Sequence, residues 1–288
     1  MKRMEGWKKT RSMVLALFIF TMSLSPILIN NSICAETSFV EATDSLQDKI
    51  NDSSNGDTIK INQSVTLSNF IEINRSITLT GNESSSIIIN GSNFGLNITT
   101  NNVSIQNLTI TNCSTALNLI NNSETLENIT LNNLTLQNCS NHGIYADNIN
   151  DTTISNITIT NCTDSGIKIN NSANLSIKYN TIWETNTGLN LSNHTNNNTI
   201  FNNTFSNNTI SLNITSSENN TIVNNTFLNK TGTYHAYDNS THNKWNTTTH
   251  GNYWGNYQDT DSNEDSRGDN PYNISGGANK DHQPLGFF

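Results

Sequence analysis

Along most of the chain, apolar residues alternate with polar ones in very short runs, as in Ile157-Thr158-Ile159 and Leu189-Asn190-Leu191. Alternation with a period of two marks brief strands with one buried face. Asn, Ser, Thr and Gly, which favour turns, fill the gaps. The runs also recur. Ile154, Ile177, Ile200 and Ile222 stand 23, 23 and 22 residues apart. Leu136, Ile159, Ile182, Phe205 and Phe227 keep the same beat, as do Ile144, Ile167, Leu189, Leu212 and Tyr234. Three columns in step predict coils of 22–23 residues whose inward residues stack coil upon coil.

This pattern predicts an all-β, right-handed parallel β-helix over residues 58–245. Earlier coils step by 26 or 27 residues (Leu79 to Ile105, Leu117 to Ile144), so bulges near Gly81–Ser86 and Asn121–Asn128 are expected to absorb the excess. A solenoid needs its open ends covered. Residues 36–57 read as a short strand plus a capping helix, because Leu46 and Ile50 share one helical face. Residues 246–288 read as an irregular C-terminal cap with an acidic loop.

Composition alone points elsewhere: Asn, Ser and Thr abound and only 33% of residues are hydrophobic, as in a disordered chain. Regular spacing removes the conflict, since each coil buries its few apolar residues against its neighbours. Residues 1–35 differ from the rest. Lys2, Arg3, Lys8, Lys9 and Arg11 precede an apolar run from Val14 to Ile29, with a cleavage point after Ala35. That order is a secretory signal or, left uncleaved, an N-terminal membrane anchor; either places the rest outside the cytoplasm, at the cell surface or beyond. Without it, 9 of the 14 basic and 22 of the 23 acidic residues remain, a formal charge of −13. So acidic a solenoid lacks the basic stripe that nucleic acid requires.

The words Ser45-Leu46-Gln47-Asp48-Lys49-Ile50 and Gly56-Asp57-Thr58-Ile59 resemble the start of surface β-helix proteins of methanogenic archaea. Asn-Asn-Thr-Ile/Phe words at 197–200, 202–205, 219–222 and 224–227 resemble the NosD-type and carbohydrate-binding/sugar-hydrolysis β-helix families. The tail, with Gly251-Asn252-Tyr253-Trp254 and Gly268-Asp269-Asn270-Pro271-Tyr272, resembles the end of the same archaeal proteins. The resemblance implies a surface β-helix and leaves the activity open, because this fold hosts lyases, hydrolases and inert spikes alike.

Chemistry is sparse. His142 and Asp164 form the best carboxylate–imidazole neighbourhood, expected one coil apart, but the paired carboxylates of sugar hydrolysis are missing. Copper handling, which the NosD resemblance raises, needs clustered His, Cys and Met, whereas the histidines are scattered and no methionine follows Met22. Cys113, Cys139 and Cys162 fall in one column and read as a buried stack, one disulfide or a metal site. In the tail, Asp259, Asp261, Asn263, Asp265 and Asp269 set hard oxygens in a tight loop, a calcium site departing from the EF-hand because Glu264 replaces its glycine. Clustered tail aromatics, Trp245, Tyr253, Trp254, Tyr257 and Tyr272, plug the last turn or stack on sugars. Asn-x-Ser/Thr sequons are numerous, so some glycosylation is expected. The reading is a secreted or cell-surface, non-catalytic β-helix that binds carbohydrate or envelope components. A polysaccharide lyase or glycoside hydrolase is the alternative, and a copper-handling protein the second.

Overall fold

A computed structural model describes residues 35–41, 44–82, 86–89, 93–228 and 234–287. The basic and apolar segments of the expected secretory signal lie outside the described residues. Twenty-three short strands form one sheet that winds on itself as a parallel β-solenoid of about nine turns. One inward column runs Ile59, Leu79, Ile105, Leu131, Ile154, Ile177, Ile200 and Ile222, each the register partner of the next and each fully buried. A second passes through Ile110, Leu136, Ile159, Ile182, Phe205 and Phe227 to Trp254. Burial of each such side chain contributes roughly 1.5–3 kcal/mol, so a few per coil hold a largely polar chain together.

The third column needs a correction. Leu96, Leu117, Ile144, Ile167, Leu189 and Leu212 stack as the spacing predicts, but the next member is Ala236. Tyr234 instead pairs with Ile210 and is 58% exposed. Additional residues between Leu228 and Tyr234 displace the count by two, a shift that keeps strand parity and so escapes a period-two reading.

Corners between strands follow a three-residue rule. Asn107, Asn133, Asn156, Asn202 and Asn224 all turn the chain with φ between 53° and 59°. Asn tolerates this left-handed region better than other side-chain-bearing residues. The following residue points inward (Leu108, Leu134, Ile157, Asn203, Asn225), and the one after it is a Thr in strand conformation. Asn-x-Thr is therefore what the corner itself demands, and the sequon count follows from geometry.

Halfway along the solenoid the inward corner residue changes from apolar to Asn. Asn180, Asn203, Asn225 and Asn252 form a buried ladder. The Asn203 Oδ1 accepts from the backbone N–H of Asn180 at 3.0 Å and from its Nδ2 at 2.9 Å. The Asn203 Nδ2 donates to the Ile177 carbonyl at 2.9 Å and to Asn225 Oδ1 at 3.0 Å. A parallel ladder joins Asn198, Asn220 and Asn243. Every rung is satisfied, as burial of amides requires.

Both ends are closed. At the first coil a helix, Leu46–Asp52, is capped by the Ser45 hydroxyl, which accepts from the Asp48 N–H at 3.2 Å, and buries Leu46 and Ile50. At the far end the rings of Phe227, Trp254 and Tyr272 stack at 4.5 and 4.0 Å between centroids. Two buried carboxylates anchor this plug: Trp245 Nε1 donates to Asp238 at 2.9 Å and Trp254 Nε1 to Asp281 at 3.0 Å. Burial raises both carboxyls above the ordinary range, against the pull of their donors. Trp245 and Trp254 thus close the core instead of facing a ligand.

Candidate surface for polymer binding

Strand alternation that sends Ile and Leu inward sends hydroxyls outward. Thr130, Thr153, Ser176, Thr199 and Thr221 are register partners on consecutive coils, and Thr158, Thr181, Thr204 and Thr226 make a second row. All are half-buried or exposed. Adjacent strands lie about 4.8 Å apart, so each row presents a hydroxyl at that interval along the axis.

One coil departs from this polar plainness. In the corner column of Asn133, Asn156, Asn202 and Asn224, the member between Asn156 and Asn202 is Tyr179, with φ 59° and 51% exposure. Five residues on, Glu184 (φ 56°) replaces the Asn of the column Asn138, Asn161 and Asn207. Between them Trp183 faces outward at a position that neighbouring coils fill with Thr160 and Ser206. Phe201, the register partner of Lys178, meets Tyr179 edge-on at 5.8 Å. Sequence reading missed this coil and its rings. The available signal was the break in two asparagine columns.

His142 and Asp164 do come together. Nδ1 stands 3.6 Å from the Asp164 carboxylate, too far for a hydrogen bond, and Nδ1 has no other partner. Burial pushes the imidazole down to about 4, which outweighs the opposing pull of Asp164. His142 is therefore neutral at pH 7, stacked on Tyr145 with centroids 5.5 Å apart. Ser165, on the next coil, is fully buried. This pair lacks a second carboxylate and an accessible nucleophile.

The three cysteines are free and buried, with Cys113 and Cys139 sulfurs 3.9 Å apart and Cys139 in register with Cys162. The neighbouring Cys113 thiol and burial push the Cys139 thiol up, so it stays protonated. In the tail loop the candidate oxygens serve the loop's own donors. Asp259 accepts from the Tyr257 hydroxyl at 2.7 Å and the Asn270 N–H at 2.8 Å, which hold its carboxyl down at about 2. Asp261 accepts from the N–H groups of Asp265 and Ser266, and Asn263 from that of Asp265. Asp265 takes the Arg267 N–H, and Asp269 the hydroxyls of Thr260 and Ser262. Glu264 adopts φ 57° where an EF-hand has glycine. Among the described residues no three His, Cys, Asp or Glu side chains gather as a metal site would need.

Two solved structures share the architecture. The A-module of the mannuronan C-5 epimerase AlgE6 of Azotobacter vinelandii aligns with a TM-score of 0.54 at 16% identity, over 67% of this chain and 57% of that one. ORF18 of Geobacillus virus E2 aligns at 0.51 and 18% identity, over 68% and 56%. The chain thus spans little more than half the length of either, and likeness at such identity is a likeness of fold. No curated protein matches the chain.

The profile of a family described as periplasmic copper-binding protein (NosD) matches residues 29–259. Copper selects convergent imidazole and sulfur donors. Among the described residues the sulfur donors are three thiols strung along the dry interior on successive coils, and no histidines gather with them around a point, so these residues do not fit that metal. What the match covers is the coil with its Asn-rich corners, most of the solenoid, and on that ground the chain belongs to the NosD family.

Proposed function

We propose that the protein works outside the cytoplasm as a non-catalytic β-helix that binds carbohydrate of the cell envelope through its outer face. The observation that carries this reading is the pair of hydroxyl rows, one group per coil, on a rigid backbone. A saccharide chain offers hydroxyls at a similar spacing, so many weak hydrogen bonds form without reorganisation of the protein. The family's description as periplasmic supports the compartment. The epimerase whose module shares the fold is named for a polysaccharide, mannuronan, and this supports the ligand class by analogy only. Among the described residues the best imidazole–carboxylate pair, His142 and Asp164, stands without a hydrogen bond between its members, and this favours binding over turnover.

A glycan array probed with the purified protein tests this, alongside assays for new reducing ends and for unsaturated products. Binding to at least one polysaccharide without product release is expected. No binding anywhere would reject the reading, and cleavage that disappears on replacement of His142 and Asp164 would establish the enzymatic alternative.

A further inference from the structure

We infer that the coil segment carrying Tyr179 and Trp183, with Phe201 on the next coil and Lys178 and Glu184 alongside, is the contact site for a neutral glycan; this rests on the carbohydrate reading above. The first argument is conformational. Among the described residues, Tyr179 is the only Phe, Tyr or Trp with positive φ. A bulky side chain is disfavoured there, and the same column shows Asn performing the turn on the coils before and after. Its ring is 51% exposed, so packing does not offset the strain. Glu184 repeats the exception on the same coil. Two disfavoured residues at two corners, with an outward Trp between them, mark a departure from what folding prefers, and such departures collect at functional sites.

The second argument concerns the occupant. The rings, an edge-on Tyr179–Phe201 pair and Trp183, are set among hydroxyls: Thr181 and Thr204 open the adjoining strands, and Thr160 and Ser206 flank Trp183. A protein partner would seek a continuous apolar patch. A sugar ring presents C–H bonds on one face and hydroxyls around its edge, and aromatic rings set in a hydroxyl field match both. Phenol and indole rings also lose little conformational freedom on contact. Charge decides between neutral and acidic glycans. The chain beyond residue 35 carries 22 acidic against 9 basic residues, and on this coil Lys178 is matched by Glu184, so a polyuronate meets repulsion.

Tyr179→Asn restores the residue of the neighbouring coils, and Trp183→Ser that of Ser206. The test is affinity electrophoresis of the full chain and these variants through gels containing hydroxyethyl cellulose, glucomannan, dextran, alginate or polygalacturonate, paired with thermal unfolding. Retardation of the wild type by at least one neutral polymer is expected. Each variant weakens it about tenfold or more, while Tyr179→Asn raises Tm by about 2–4 °C. Undiminished retardation of the double variant would place sugar binding elsewhere and sink this inference alone. So would a fall in Tm for Tyr179→Asn, or retardation by alginate or polygalacturonate only. A wild type retarded by no polymer would remove the carbohydrate reading itself.

Discussion

The two halves of the solenoid solve one problem with different chemistry. Corners in the first half bury Leu108, Leu134, Ile157 and the cysteines, and the strands run on through the bend, as in Ser104–Thr111 and Thr130–Cys139. From Asn180 onward these positions hold asparagines, Thr185 excepted, and after the long strand Thr181–Ser192 the strands break into three-residue pieces such as Thr199–Phe201 and Thr204–Ser206. Where the strand ladder is interrupted, the buried amide supplies the missing partners, taking a backbone N–H and giving to a carbonyl, both on the previous coil. Apolar corners are held by a non-directional force and tolerate coils of 26 and 27 residues. Amide corners are directional: from Asn180 to Asn225 the coil length is 22 or 23, while the last rung, to Asn252, spans 27.

Replacement of one rung is the strongest way to break this contrast. Asn203→Leu strands the Asn180 donors and the Ile177 carbonyl in a dry interior and should destabilise by about 3–5 kcal/mol. Leu134→Met at the equivalent apolar corner should cost under about 1.5 kcal/mol. Chemical denaturation measures both, and equal costs would mean the amide ladder is decorative. Acid sharpens the contrast from the other side, because His142 lies in the apolar half. Its folded pKa, about 4, is below the ordinary 6.5, so the unfolded chain binds the extra proton between those values. Stability is level above pH 6.5 and falls by roughly 3 kcal/mol as pH drops through that window. His142→Thr, which copies Thr115 of the previous coil, should remove most of the slope, with a remainder from His235, also pushed down by burial. An unchanged pH profile would reject the assignment.

Close approach of backbones gives a smaller effect. A Cβ on Gly166 would lie 2.4 Å from the Ile182 Cγ2 and 2.7 Å from the Gly188 carbonyl oxygen. Gly166→Ala should therefore cost about 1–3 kcal/mol, and a neutral result would show that the coils can spread. The smallest effect is expected in the tail, where the loop oxygens are engaged by the loop's own amides and hydroxyls. Calcium at about 1 mM should shift Tm by less than about 2 °C; saturable heat at micromolar calcium, lost in Asp259→Ala/Asp261→Ala, would instead assign the loop a cation.

Much of this architecture was legible before any coordinates. A solenoid repeats one environment at one interval, so the inward columns from Leu136 to Phe227, the capping face of Leu46 and Ile50, and the His142–Asp164 neighbourhood all follow from counting residues. Counting fails where the repeat fails. Tyr234 was displaced because the insertion before it carries no signal of its own length. The tail loop has no repeat to anchor it, and alternating carboxylates look alike whether they face a common centre or their own N–H groups.

The sequence by itself determined the coil, its period and the residues that stack, because hydrophobic burial depends only on which side of a strand a residue occupies. Tertiary structure alone decided which asparagines are exposed turns and which are buried rungs, and that Phe201 of the next coil meets Tyr179 edge-on. The reason is that a hydrogen bond or a ring contact depends on where the next coil places its partner, and a single strand does not contain that information.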